Sequence, residues 1–152
     1  METLIEYVFG TYPSWSHLVV RIALGVIFFA HGAQKTFGWF GGHGLSATIS
    51  GFRQMNVPPA ATALAAFTEC FGGLALIVGV LARPTAIGLI LVMLVAIAKV
   101  HGKHGFFLNF SMTPGKGHGY EFNLALIALA LSILVGGAGA LSIDRLIAPF
   151  GG

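Results

Sequence analysis

The chain has 152 residues, 56% of them hydrophobic and 9% charged, with a single cysteine and a formal net charge of +3. Soluble domains carry about 25% charged residues, so this composition excludes an ordinary soluble domain. It points to one integral membrane domain over residues 1–152, with the lipid bilayer as its first partner. The positive charge is spread along the chain, and no basic tract suggests nucleic acid.

The N-terminal stretch METLIEYVFGTYPSWSH opens with acidic residues and has neither a basic region nor a small-residue cleavage site, so it does not read as a signal peptide. Residues 2–10 suit a short interfacial helix, with Tyr7, Phe9, Tyr12 and Trp15 at headgroup level. A poorly ordered start fits equally well. Four hydrophobic runs come next, at about residues 18–37, 60–81, 84–100 and 122–141. A helix needs about 20 residues to cross the hydrocarbon core, and each run is near that, the third being short. Backbone groups in lipid must be paired within the segment, so the runs are expected to be helices. The expected fold is all-α, a four-transmembrane-helix bundle.

The first run carries Arg21, Gly25, Phe28, Gly32 and Lys35 along one stripe, with His31 one turn from Lys35. Arg21, Arg83 and Arg145 read as anchors that snorkel to headgroups. The second run contains Glu69 near its middle. A carboxylate there costs a few kcal/mol or more, on the order of the scales for charges in bilayers, so it must face a partner, a cavity or water. Thr62, Ala65, Ala66, Glu69, Gly72, Gly73 and Leu76 share one face, and small residues on it allow close helix packing. Glu69 therefore points into the bundle. Cys70 beside it reads as a small packing residue, and a lone thiol excludes dithiol exchange within the chain.

The turn at residues 82–84 makes the second and third runs an antiparallel hairpin. Residues 38–59 and 101–120 are then long loops on one side of the membrane. Charge counts leave the orientation open. The first and third runs end in similar text, AHGAQKTFGWF and VHGKHGFFLNF, and the second and fourth share Glu and LALI. This echo suggests two parallel half-units. Gly136, Gly137 and Gly139 end the last run by permitting left-handed backbone, with Ser142 and Asp144 as polar caps beyond.

With this topology His31, Lys35, Lys99, His101 and Glu121 all lie at the long-loop end. Glu69 sits roughly 15 Å below that surface, at about 1.5 Å rise per residue from Pro59. A polar pocket opening on the side of the two long loops is expected, with Glu69 near its floor. Three chemistries suit it. Quinone or quinol binding would use His and Glu as bases, with Phe28 and Trp39 packing the ring. Haem ligation would use His31 and His101, and a surface metal would use His101, His104 and His118. Passage of a proton or small molecule would use Glu69 as carrier. Against all three stands a plain ion pair of Glu69 with Lys35 or Lys99 that sets helix register.

The segments RIALGVIFFAHGAQK, ECFGGLALIVG and LARPTAIGLILVMLVAI, then Gly119-Tyr120-Glu121 and the tail GGAGALSIDRLI, together resemble the DoxX family of small four-helix membrane proteins. The resemblance covers about residues 21–147. It implies a recurring Glu at Glu69 and a Gly-x-x-Lys at Gly32–Lys35. It also implies quinone-dependent redox chemistry, since some members resemble subunits of a thiosulfate:quinone oxidoreductase or a terminal oxidase, and others belong with membrane redox-defence assemblies. On this reading Glu69 and His31 handle protons, and Lys35 and Lys99 compensate charge. Gly32, His101, Glu121, Phe28 and Trp39 complete the ligand site, and no metal is assigned. Quinone is the expected cofactor, with haem the weaker one. A redox partner subunit and a second copy of the chain are the partners this reading admits. The expected location is the cytoplasmic (inner) membrane of a bacterium or archaeon. A non-enzymatic anchor, a transporter and a haem-binding electron-transfer subunit are the rivals.

Overall fold

The structure, a computed structural model, describes residues 2–148. Seven α-helices appear among them: α1 (Glu2–Phe9), α2 (Trp15–Thr36), α3 (Gly44–Arg53), α4 (Pro59–Val78), α5 (Ala82–Ala96), α6 (Glu121–Gly136) and α7 (Ile143–Ile147). The described residues form no sheet. The apolar runs thus became helices, as pairing of backbone groups in lipid requires.

Helix α2 starts where the Ser14 side chain accepts the His17 amide, an N-cap that satisfies one free donor. It buries Arg21, Leu24, Gly25, Phe28, Gly32 and Ala33, the inward stripe of an amphipathic helix. Helix α4 begins at Pro59, whose missing N–H costs nothing in a first turn, and buries Thr62, Ala66, Glu69, Cys70, Gly73 and Leu76. Gly79 ends it at φ 73°, with its amide on the carbonyls of Ala75 and Leu76.

Helix α5 starts two residues before the run read from sequence, because the Asp144 carboxylate caps it. That carboxylate accepts the amides of Leu81 at 2.7 Å and Ala82 at 2.8 Å. The helix continues as a π turn, Ile97–His101, and a short 3₁₀ turn, Gly102–His104. The stretch Ala82–His104 is thereby 23 residues long, and the shortness expected of the third run disappears.

Three helices are long and apolar enough to cross a membrane: Trp15–Thr36, Pro59–Val78 and Ala82–His104. Helix α6 is also apolar but has 16 residues, about 24 Å at 1.5 Å per residue. It stops at Gly136 because Gly137 adopts φ 77°, five residues before the fourth run was expected to end. The 38–59 connection, read from sequence as a loop, carries α3, which packs on α2 and α4. Helix pairs α2–α4 and α5–α6 make the most extensive contacts, and these are the two pairs that the sequence echo groups together. The core runs between them, through Leu24, Phe28, Leu76, Leu89, Leu126 and Ile133.

Candidate functional site at the Lys35–Glu69 pair

Glycine sets the distance between α2 and α4. A Cβ at Gly25 would lie 2.8 Å from the Gly73 carbonyl oxygen, and one at Gly32 would run into the Cys70 backbone and lie 2.7 Å from the Glu69 carbonyl carbon. The two backbones therefore touch, as small-residue faces permit in membranes. Three residues past Gly32, Lys35 reaches across this crossing. Its Nζ donates to both carboxylate oxygens of Glu69, each at 2.6 Å. The Glu69 side chain is 2% exposed and the Lys35 side chain 31%. The ammonium is thus the partner that makes the embedded carboxylate tolerable.

Two cavities meet at this pair. The larger, about 440 Å³, lies between α2, α5, α6 and the 105–120 loop, and is lined by Phe28, His31, Lys35, Glu69, His101, His118 and Asn123 among others. The second, about 310 Å³, lies among α3, α4 and α5. Both are bounded by Lys35, Phe52, Glu69 and Ala96. A third, more open hollow of about 320 Å³ reaches Lys35 from the loop surface past Gln34, His43 and Thr48.

Of the residues singled out from sequence, Phe28, His31, Lys35, Glu69 and His101 line the larger cavity. Gly32 stands behind it, at the helix crossing. Lys99 and Trp39 line none of the three cavities. Lys99 is exposed on the π turn. Trp39 is 53% exposed and packs on Phe37, ring centroids 5.1 Å apart. The Glu121 carboxylate accepts the Leu108 amide at 2.7 Å, and so ties the loop to the start of α6. The loop histidines do similar work. His101 Nδ1 bonds the His118 carbonyl at 3.0 Å, and the Asn109 amide donates to His118 Nδ1. Among the described residues no three of His, Cys, Asp and Glu converge as metal ligands, so His101, His104 and His118 do not form the surface cluster their spacing suggested.

Sequence reasoning missed Asn123, and it read His118 as a surface metal ligand rather than as part of the cavity lining. Asn123 is 6% exposed, lines the larger cavity and donates to the Met93 sulfur at 3.4 Å. A lone amide inside the apolar text EFNLALI was the available signal.

A second polar centre lies at the opposite end. Arg21 was expected to snorkel to headgroups; it is instead 0% exposed. Its guanidinium donates to the carbonyls of Leu76, Ile77, Ala138, Ala140 and Leu141. The last turn of α4 and the glycine tail leave carbonyls with acceptor capacity to spare, Leu76 sharing its own with the Gly79 amide, and the five donors of one arginine meet them. Arg83 also turns inward, to the carbonyls of Leu134 and Gly10. Arg145 is exposed. Burial pushes the Asp144 carboxyl above its ordinary pKa of 3.8, while the amides of Ala82 and Leu81, then Arg21 and Arg83, pull it down. This end is a structural clamp. Ser142 and Asp144 are caps as expected, but Asp144 caps α5 across the fold, while Ser142 caps α7.

A small helical membrane protein with a carboxylate–ammonium pair buried between helices is the class these features define. The DoxX family model matches residues 16–102, more than half of the chain. The chain belongs to the DoxX family, and it is an integral membrane protein. The matched region contains both Lys35 and Glu69 and ends just past the π turn. No curated protein and no solved structure matches the chain.

Proposed function

We propose that the protein is a quinone-linked oxidoreductase subunit of four membrane-spanning helices, α6 being the fourth, that binds a quinone or quinol head in the larger cavity. The observation that carries this is the placement of the Lys35–Glu69 pair at that cavity, beside His31, His101 and Asn123. Its volume of about 440 Å³ falls among small-molecule sites, which run from roughly 300 to 1,000 Å³ with mostly apolar walls and a few convergent polar groups. The residues present fit a quinone head. Lys35 and Asn123 offer donors to ring oxygens, His31 and His101 offer imidazoles, and Phe28 and Met93 offer apolar wall.

When bound, a quinone supplies two-electron, two-proton redox chemistry. The chain's own part is to hold the head, exclude water and manage protons. Glu69 would carry protons to the ring oxygen as electrons arrive there, and Lys35 would hold the carboxylate in place between transfers. His31 sits at the same cavity as the second proton group. Electrons come from a partner subunit or from a reduced substrate. The proposed location is the cytoplasmic membrane of a bacterium or archaeon.

The two-fold contact between Lys35 and Glu69 also favours a second reading, a non-catalytic membrane scaffold whose ion pair fixes helix register. Lipid extraction of the purified protein, with identification of the extracted quinones, separates the two. Stoichiometric quinone in the wild type that falls at least tenfold in Glu69→Gln, with unchanged assembly, is the expected result. Quinone recovery equal to that of an unrelated membrane protein would refute the quinone reading and leave the scaffold.

A further inference from the structure

The second cavity, among α3, α4 and α5, has a composition that the quinone head does not explain. We propose that it is a lateral port that takes the hydrocarbon tail of the lipid-soluble ligand whose head lies at the Lys35–Glu69 pair. The inference rests on the quinone reading and adds to it the route and the tail subsite.

Adjacency comes first. The port and the head cavity adjoin, with Lys35, Phe52, Glu69 and Ala96 bordering both, so only these side chains lie between the head and the port. The outer wall comes next. Leu64 on α4 and Leu91 and Val95 on α5 line the port and are 69%, 58% and 50% exposed. Both helices are long and apolar enough to span the membrane, so the mouth between them opens onto acyl chains. Small residues make the gap: Ala65 on α4 and Gly88 on α5 both line it. A Cβ at Gly88 would meet only the Thr68 methyl, at 3.1 Å.

Two of the three threonine hydroxyls at the port, those of Thr48 and Thr62, are taken up by backbone, while Thr68 turns its methyl toward Gly88. Thr48 gives its hydroxyl to the Gly44 and Lys35 carbonyls, and Thr62 gives its own to the Pro58 carbonyl. Apart from the ion pair and the Thr68 hydroxyl, a polar head entering here would find no partners, and each hydrogen bond left unmade costs about 1–3 kcal/mol. A hydrocarbon chain loses nothing. The port therefore takes a chain, and the head cavity takes the polar end.

The test compares two probes on purified protein in detergent, a quinone with a long isoprenoid tail and the same head without a tail. Gly88→Leu and Ala65→Phe fill the port, and Leu94→Phe adds bulk on the outer face of α5 away from the cavities. In the wild type, affinity rises with tail length over the first units and then levels. Gly88→Leu and Ala65→Phe weaken the long-tailed quinone at least tenfold and the tail-less one less than twofold, while Leu94→Phe changes neither. Equal weakening of both probes, or no change in either, overturns the port. A wild type that binds neither probe overturns the quinone reading, and the port falls with it. Should both filled variants fail to fold, the tail series on the wild type decides, since an affinity independent of tail length refutes the port.

Discussion

Lys35→Met removes the ammonium that meets Glu69 through both carboxylate oxygens at 2.6 Å. The carboxylate left behind is only 2% exposed, between helices, and its hydrogen bonds from Lys35 are gone. Breaking a buried pair from one side costs about 3–5 kcal/mol, because the surviving charge stays desolvated. The reverse perturbation is milder. In Glu69→Gln the surviving charge is Lys35, whose side chain is 31% exposed and borders an open hollow toward the loop surface. There the loss is that of a charge-assisted hydrogen bond, about 1.5–3 kcal/mol. The double variant Lys35→Met, Glu69→Leu removes both charges and refills the space with apolar volume, which is often close to neutral. The expected order of melting temperature is wild type and double variant highest, Glu69→Gln next, Lys35→Met lowest. At about 2–4 °C per kcal/mol for a chain of this size, Lys35→Met should melt about 10 °C below wild type. Thermal unfolding of detergent-purified protein, read as size-exclusion recovery after heating, measures the series. Lys35→Met melting no lower than Glu69→Gln would refute the reasoning, since the difference in burial would then carry no energetic weight.

Gly32→Leu should be the most disruptive substitution at the α2–α4 crossing, because its side chain begins inside the Cys70 backbone; the expected result is loss of monodisperse protein on size exclusion. Arg21→Lys should cost more than about 3 kcal/mol, since an ammonium cannot replace a guanidinium fork that serves five carbonyls, and a melt within 2–3 °C of wild type, roughly 1 kcal/mol, would contradict it. Asp144→Ala should destabilise by about 1–2 kcal/mol through loss of the α5 cap, with Asp144→Asn intermediate in the same melt. Cys70 is 1% exposed against α2, so a membrane-permeant maleimide should label it only after denaturation.

The helices were legible in the sequence, and so was the direction of Glu69. Twenty-residue apolar runs have one solution in lipid, and the spacing of Thr62, Ala66, Gly73 and Leu76 puts small residues and the carboxylate on one face. The grouping of Phe28, His31, Lys35, Glu69 and His101 around one cavity came from topology alone. Lys99 was less legible. It was placed by its depth at the long-loop end alone, and residues two apart on a helical turn, as Lys99 and His101 are, face different sides, so only one of them can line the cavity. Trp39 and Glu121 sit in connections whose course periodicity does not describe.

The properties that the sequence by itself determined are local: which segments are apolar helices, which face of each is small, and that an ionisable group is buried among them. These depend on residue spacing and on the need to pair backbone groups in lipid. Only the tertiary structure decided which charge meets which. Lys35 rather than Lys99 holds Glu69 because α2 and α4 touch at glycine, an approach set by backbone contact 37 residues apart in sequence at Gly32 and Glu69. Arg21 is buried rather than snorkelled because carbonyls of α4 and of the 138–141 tail converge on it from 55 to 120 residues away. Such carbonyls carry no mark in the sequence, since every residue has one and only the fold leaves a few with acceptor capacity to spare.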